Sequence, residues 1–375
     1  MGTFLDLLIH SGRVIDPMTG VDSVLDIGVR HGRISSLEQS INARAKLRID
    51  ASGLLVTPGL IDLHTHVYPW ATYWGVDADT IGRQGGTTTV LDAGSTGSQN
   101  YRGFQKWIVS QAKVRVLGLM NLSELGLTSD KGELRDPVFA DIAGGLEGMA
   151  TFPQTFLGCK IRLSGELAGW GQQGRSHALQ ALEMAGRAGT FLMVHIGNTP
   201  FPIEELLSML RPGDIVTHCY RPGPNNLFDD ANKPLPAVQK AQSKGIFFDV
   251  GHGSGSFQYE RARSAVESGF LADTISTDLH IRNINGPVYN LPTTMAKMLD
   301  LGMTLDEVFS RVTTHPAKIL GLDHSIGSLQ LGREADIAIL RHSEQPTSFT
   351  DSMGTSWTGS HQLKAIHTFR AGEPL

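Results

Sequence analysis

The sequence predicts an α/β protein: a (β/α)8 TIM-like barrel joined to a small β-sandwich built from the N- and C-terminal segments. Three observations predict it. The chain has 375 residues, more than one hydrophobic core usually fills, so a large domain of about 250 residues and a smaller one are expected. Eight short apolar runs recur through its middle, with helix-like stretches between many of them. Both ends read as short strands, too few at either end for a stable sheet.

Taken in order, Leu5 to His10, Val24 to Arg30 and Gly32 to Leu37 alternate or run apolar, punctuated by Ser11-Gly12 and His31-Gly32. Their expected partners are Ala335 to Leu340 and Ala365 to Phe369, preceded by turns at Gly327 and Gly332. Pairing the two ends places residues 1–56 and 324–375 in the sandwich and 57–323 in the barrel. The barrel runs are Leu60 to Leu63, Thr87 to Asp92, Val114 to Asn121, Phe156 to Leu163, Phe191 to Val194, Asp214 to Thr217, Ile246 to Val250 and Thr274 to Thr277. Helical patterns lie at Ser176 to Ala188, Ile203 to Leu210, Leu235 to Gln242 and Tyr259 to Ser268. A doubly wound open sheet competes with the barrel, but no glycine-rich nucleotide fingerprint follows the first run.

Composition narrows the function. Lys and Arg total 32 against 37 Asp and Glu, a formal charge of −5, which gives no basic footprint for nucleic acid or an anionic membrane. Charged residues are only 18% and hydrophobic ones 40%, the balance of an ordered interior rather than a disordered chain. Cys159 and Cys219 cannot make a disulfide framework, which fits a reducing compartment. Met1 to His10 lacks the basic flank and cleavage site of a signal peptide, and Asp6 replaces the Ser or Thr of a myristoylation signal. No apolar stretch approaches the roughly 20 residues that span a bilayer. A cytoplasmic location and a small-molecule substrate are expected.

Position along the runs carries the chemistry. Five of the eight runs hold or end in a potential metal ligand: His64 and His66, Lys160, His195, His218 and Asp278. In a parallel barrel those ends converge on one face, where barrel enzymes build their sites. A histidine at a strand end is more often structural, and His10, His31, His177, His342, His361 and His367 are read that way. Four histidines and an aspartate at equivalent ends are hard to obtain by chance, and point to a metal centre. By strand alternation Cys159 and Cys219 should face away from it as buried packing residues. The Gly251-His252-Gly253-Ser254-Gly255 run reads as a tight turn, with an anion cradle as the alternative.

The segment Gly59-Leu60-Ile61-Asp62-Leu63-His64-Thr65-His66 resembles the amidohydrolase superfamily. The likeness continues through Lys160, Val194-His195, Thr217-His218-Cys219, Ser276-Thr277-Asp278 and the Thr313-Thr314-His315-Pro316 tail. Asp92-Ala93-Gly94-Ser95 and Asp249-Val250-Gly251-His252-Gly253 resemble its dihydroorotase-like deacetylase and esterase branch. The resemblance implies two divalent cations, zinc above all, and a carbamate formed on Lys160 from carbon dioxide. It assigns His64 and His66 to the more buried cation, His195 and His218 to the more exposed one, and Asp278 to the first. Charge supports the carbamate: two dications carry four positive charges, and carbamate, Asp278 and a bridging hydroxide remove three. An ammonium would instead leave a large positive excess in a low-dielectric site. Coordination lowers the pKa of water from about 15.7 toward roughly 7, and Asp278 then acts as general acid and base.

The reaction so implied is hydrolysis of an amide or ester bond in a small acylated acid, either an N-acyl amino acid or an O-acyl hydroxy acid. Alternatives are a dihydroorotase-like cyclic amidohydrolase, a mononuclear deaminase and a non-catalytic scaffold. Dihydroorotases usually carry Arg two residues after the second motif histidine, where this chain has Tyr68. Arg162, two beyond Lys160, is a candidate carboxylate clamp or else an ion pair with a neighbouring acid. His280 either reaches the substrate or caps its loop. Tyr289, in the Asn285-Gly286-Pro287-Val288-Tyr289 loop, offers an aromatic wall or a packed connection. The relatives implied are commonly homo-oligomers.

Overall fold

The computed structural model describes residues 4–375; the Met1-Gly2 start that bears on the lipidation reading lies outside them. Five strands come first: β1 (Phe4–Asp16), β2 (Val21–Arg30), β3 (Arg33–Glu38), β4 (Arg44–Asp50) and β5 (Leu55–Pro58). Seven follow with helices between them: β6 (Leu60–Thr65), β7 (Thr87–Asp92), β8 (Arg115–Asn121), β9 (Phe156–Leu163), β10 (Phe191–Ile196), β11 (Ile215–Thr217) and β12 (Phe247–Asp249). The chain ends on β13 (Ile337–Thr350), β14 (Ser356–Arg370) and the short β15 (Glu373–Pro374).

The two chain ends pair as the patterning anticipates, in a mixed eight-stranded sheet of order β15-β14-β13-β5-β1-β2-β3, with β4 alongside β1. Hydrogen bonding is continuous through it, so the sandwich is one sheet curled about its core rather than two stacked sheets. Ile34 and Gly32 bond back to Arg333, Gly332 and Ala335, which brings the far edge round to the approach of β13. Ile9, Val14, Ile27, Val29, Val56 and Ile339 fill the interior. Ser11-Gly12, read from sequence as a strand end, is instead a bulge inside β1, with Ser11 at φ 63°. The kink lets the first half of β1 pair with β4 and the second with β5.

Strands β6 to β12 form a parallel sheet in chain order. Both faces are buried, which is why these strands read as unbroken apolar runs. Ile61, Leu63, Leu91, Leu117, Leu119 and Met193 fill the inside. Val90, Val116, Ile161, Val194 and Val216 face outward to the helices. The eighth run is not a full strand. It closes the barrel through single parallel bridges, Thr274 to Asp249 and Leu279 to Thr65. Its backbone donors go elsewhere: the Ile275 amide bonds the Arg311 carbonyl and the Thr277 amide bonds Asp62 Oδ1, while the Thr274 and Ser276 hydroxyls bond Asp249 and Asp278 turns to φ 49°.

Candidate active site

The C-terminal ends of the parallel strands bring the predicted ligands together. His64 Nε2 and His66 Nε2 lie 3.4 and 3.2 Å from Asp278 Oδ1. Lys160 Nζ is 3.2 Å from His64 Nε2, and His218 Nε2 is 2.7 Å from His195 Nδ1. Ligand atoms of His64, His218 and Asp278 lie within 4.8 Å of one another.

Local backbone makes this possible. Strict alternation would send His218 outward, because Thr217 before it already faces in. A left-handed φ of 73° turns His218 inward as well, and Asp278 at φ 49° does the same after Thr277. Each such position costs a non-glycine residue roughly 1–3 kcal/mol, strain that persists because the surroundings fix it. Gly251 and Gly253 leave the space: a Cβ at Gly251 would sit 2.3 Å from Thr217 Oγ1, and one at Gly253 would sit 2.6 Å from Asp278 Oδ2. The Gly251 to Gly255 run is therefore a turn, shaped by its approach to the site.

A second ring of groups orients the imidazoles. Thr217 Oγ1 donates to Asp249 at 2.7 Å, so its oxygen accepts from His64 Nδ1 at 2.8 Å. His66 Nδ1 meets Ser95 Oγ at 2.9 Å, and the Ser95 amide is held by Asp92 at 2.7 Å. His218 Nδ1 donates to the Gly251 carbonyl at 2.7 Å. In each case the far nitrogen is left with its lone pair toward the centre, the arrangement metal-binding histidines use.

Burial sets the protonation states. It pushes His66 to about 3 and His218 to about 4, and His64 and His195 well below the usual imidazole value. All four are neutral at pH 7, as ligation requires. Burial lowers Lys160 to about 8 and raises Asp278 above the usual carboxylate value. Asp278 Oδ1 is buried with no hydrogen-bond partner. An orphaned carboxylate oxygen facing neutral imidazoles fits a divalent cation.

Substrate candidates fare differently. Arg162 is a buried ion pair: Nε and Nη2 donate to the two Glu133 oxygens at 2.7 and 2.6 Å. Its guanidinium is thus committed, and the ion-pair alternative describes it rather than a free carboxylate clamp. His280 stacks near Trp74, centroids 4.1 Å apart, and Trp74 packs edge-on to His66 at 5.6 Å. His280 Nδ1 accepts from the Arg282 amide, leaving Nε2–H buried without a partner, as is Trp74 Nε1–H. Tyr289 stands apart, half-exposed, on a groove between its loop and the β13–β14 hairpin. Cys159 faces helix Ile142–Thr151, bonding Met149, and burial pushes its thiol up to about 12.

Sequence reading missed Thr217, Asp249, Ser95 and Asp92 as orienting groups, although each sits beside a ligand or at the end of an apolar run. It also missed Tyr73, Trp74 and Arg221, which no spacing marks. A hollow of about 620 Å³ opens at the other end of the strands between Phe191, Phe247 and His315. Among the described residues no His, Cys, Asp or Glu cluster suited to a metal converges there.

A centre of buried imidazoles, carboxylate and lysine at the mouth of a parallel barrel defines a metal-dependent hydrolase. The amidohydrolase family model matches residues 174–368, and the chain belongs to that family. It is 33% identical to a deacetylase of Enterococcus faecalis over 98% of both chains. A crystal structure of an adenine deaminase is similar, with TM-score 0.92 and 33% identity over 99% of each chain. That of a dihydroorotase gives 0.90 and 29% over 98% of each. Among the described residues no helix is long and apolar enough to cross a membrane.

Proposed function

We propose that this hydrolase cleaves the amide or ester bond of a small acylated acid, an N-acyl amino acid or O-acyl hydroxy acid. The observation that carries the substrate class is Arg221, three residues beyond His218. Its guanidinium makes one hydrogen bond, to the Pro224 carbonyl at 3.5 Å, and among the described residues no carboxylate lies within ion-pair distance of it. Burial and neighbouring Arg261 bring its pKa down to about 10, and its charge reaches His195 and His218. A partly buried cation that Glu166 offsets only from a distance supports a substrate that brings its own carboxylate. Trp74 Nε1–H and His280 Nε2–H are further unpaired donors for it.

His64, His66 and Asp278 would hold one divalent cation, His195 and His218 a second, with Lys160 as a carbamate between them. Such cations supply positive charge that acidifies water and polarises a carbonyl. Burial favours the carbamate. With Lys160 at about 8, roughly a tenth of it is a neutral amine at pH 7, against about 0.03% for an ordinary lysine. Only the neutral amine attacks carbon dioxide. Asp278, whose Oδ1 faces the histidine ligands, takes a proton from the attacking water on Oδ2. It returns that proton to the departing nitrogen or oxygen as the acyl bond breaks.

The test is a panel of N-acyl and O-acyl acids, dihydroorotate and adenine, assayed with zinc-loaded protein. Turnover of acyl acids, lost in Asp278→Asn and Lys160→Ala, supports the reading. Turnover of adenine that survives Lys160→Ala, or of the cyclic amide alone, overturns it.

A further inference from the structure

Lys297 lies on helix Leu291–Asp300, fully buried, outside the metal cluster. Its Nζ meets three acceptors on three different segments: His252 Nε2 at 2.8 Å, the Pro287 carbonyl at 2.9 Å and the Thr350 carbonyl at 2.7 Å. Burial lowers its pKa to about 7, and in the ammonium form its three protons match these three acceptors. It also fixes the His252 tautomer, whose Nδ1–H donates to the Gly253 carbonyl at 3.0 Å.

Each tied segment leads to the site. The His252 segment carries the Gly251 carbonyl that holds His218, and Gly253, which leaves room for Asp278. The Pro287 loop begins at Asn283, whose side chain donates to the Asp278 carbonyl at 2.8 Å. Thr350 ends β13, at the hairpin tip. There Ser352 Oγ lies 3.1 and 2.8 Å from the His252 and Gly253 carbonyls, and Asp351 accepts the Tyr259 amide at 3.0 Å. The terminal sheet thus reaches over the barrel mouth and grips a site loop.

We propose that Lys297 is a positioning residue. Its ammonium locks the Gly251–Gly253 turn, the Pro287 loop and the β13–β14 tip into one unit that holds His218 and Asp278 in ligating geometry. This rests on the metal-centre reading above. Removing the Lys297 amine strands two carbonyls and an imidazole at once.

The test uses full-length, metal-stripped protein carrying ¹⁵N-labelled histidine rings, with Lys297→Met and Ser352→Ala variants. The first readout is the His218 Nδ1–H resonance, with His177 as internal control because its Nδ1 bonds the distant Ala168 carbonyl at 2.8 Å. The second is zinc affinity by calorimetric titration. Lys297→Met should shift or abolish the His218 signal, leave that of His177 in place, and weaken zinc roughly 10–100-fold, the usual effect of losing an orienting partner. An unmoved His218 signal with zinc affinity within about twofold overturns the proposal. Should Lys297→Met lose the His177 signal, and with it the fold, Ser352→Ala decides: a shifted His218 signal supports the proposal and an unmoved one overturns it. A parent protein that binds no zinc sinks the metal reading, while the His218 resonance still judges Lys297.

Discussion

Replacing Thr217 with valine keeps the shape of the side chain and deletes one hydroxyl, the group that accepts from His64 Nδ1 and donates to Asp249. Asp249 keeps Thr274 and Ser276 as donors at 2.7 Å each, whereas His64 loses its one orienting partner. A buried donor left unsatisfied costs about 1–3 kcal/mol. At about 2.1 cal/mol/K per residue, 375 residues give an unfolding entropy near 0.8 kcal/mol/K, so ~2 kcal/mol lowers Tm by only about 2–3 °C. The functional loss should be larger. With its tautomer no longer fixed, His64 should bind zinc about 10–100-fold more weakly. Thr274→Val is the control: it takes a comparable hydrogen bond from Asp249 without touching His64. Zinc titration and calorimetry on both variants separate the effects. Equal zinc affinities in Thr217→Val and Thr274→Val, at matched Tm, would refute the orienting role of Thr217.

Three further outcomes are expected. Arg221→Met should raise KM for acylated acids about 10-fold or more with little change in kcat, whereas Arg162→Met should strand Glu133 and cost about 3–5 kcal/mol of stability; steady-state kinetics and thermal melts distinguish them, and the reverse pattern would return the clamp to Arg162. Zinc retention should stay flat as pH falls from 8 to about 5 and be lost between about 5 and 3, because burial holds His66 near 3 and His218 near 4 and protons compete only as those values are approached. Release beginning near pH 7, followed by metal analysis after dialysis, would mean the imidazoles are not buried as described. Gly253→Ala, whose Cβ would lie 2.6 Å from Asp278 Oδ2 at a φ of +56°, should cut kcat by at least tenfold; an unaffected rate would show that the turn has slack.

The barrel was legible because parallel strands buried on both faces leave unbroken apolar runs, and the residues that converge at its mouth could be picked out because histidines and an aspartate end those runs. The eighth strand was overread. Its residues look like the others in sequence, but the Ile275 and Thr277 amides bond the Arg311 carbonyl and the Asp62 carboxylate instead of extending a ladder. β1 was underread for the opposite reason, since a bulge at Ser11-Gly12 looks like a turn until two different strands are seen beside its two halves. Arg162 and Arg221 are indistinguishable from sequence. Glu133, which decides between them, lies 29 residues from Arg162, and no local pattern announces such a pairing. Lys297 was invisible likewise, because its partners come from three segments the chain brings together only on folding.

The most direct measurement is a crystal structure of zinc-loaded protein with anomalous data collected at the zinc edge. The account predicts two anomalous peaks, one among His64, His66 and Asp278 and one between His195 and His218, with a carbamate on Lys160 reaching both. A single peak with Lys160 unmodified, or none at these residues, would contradict it.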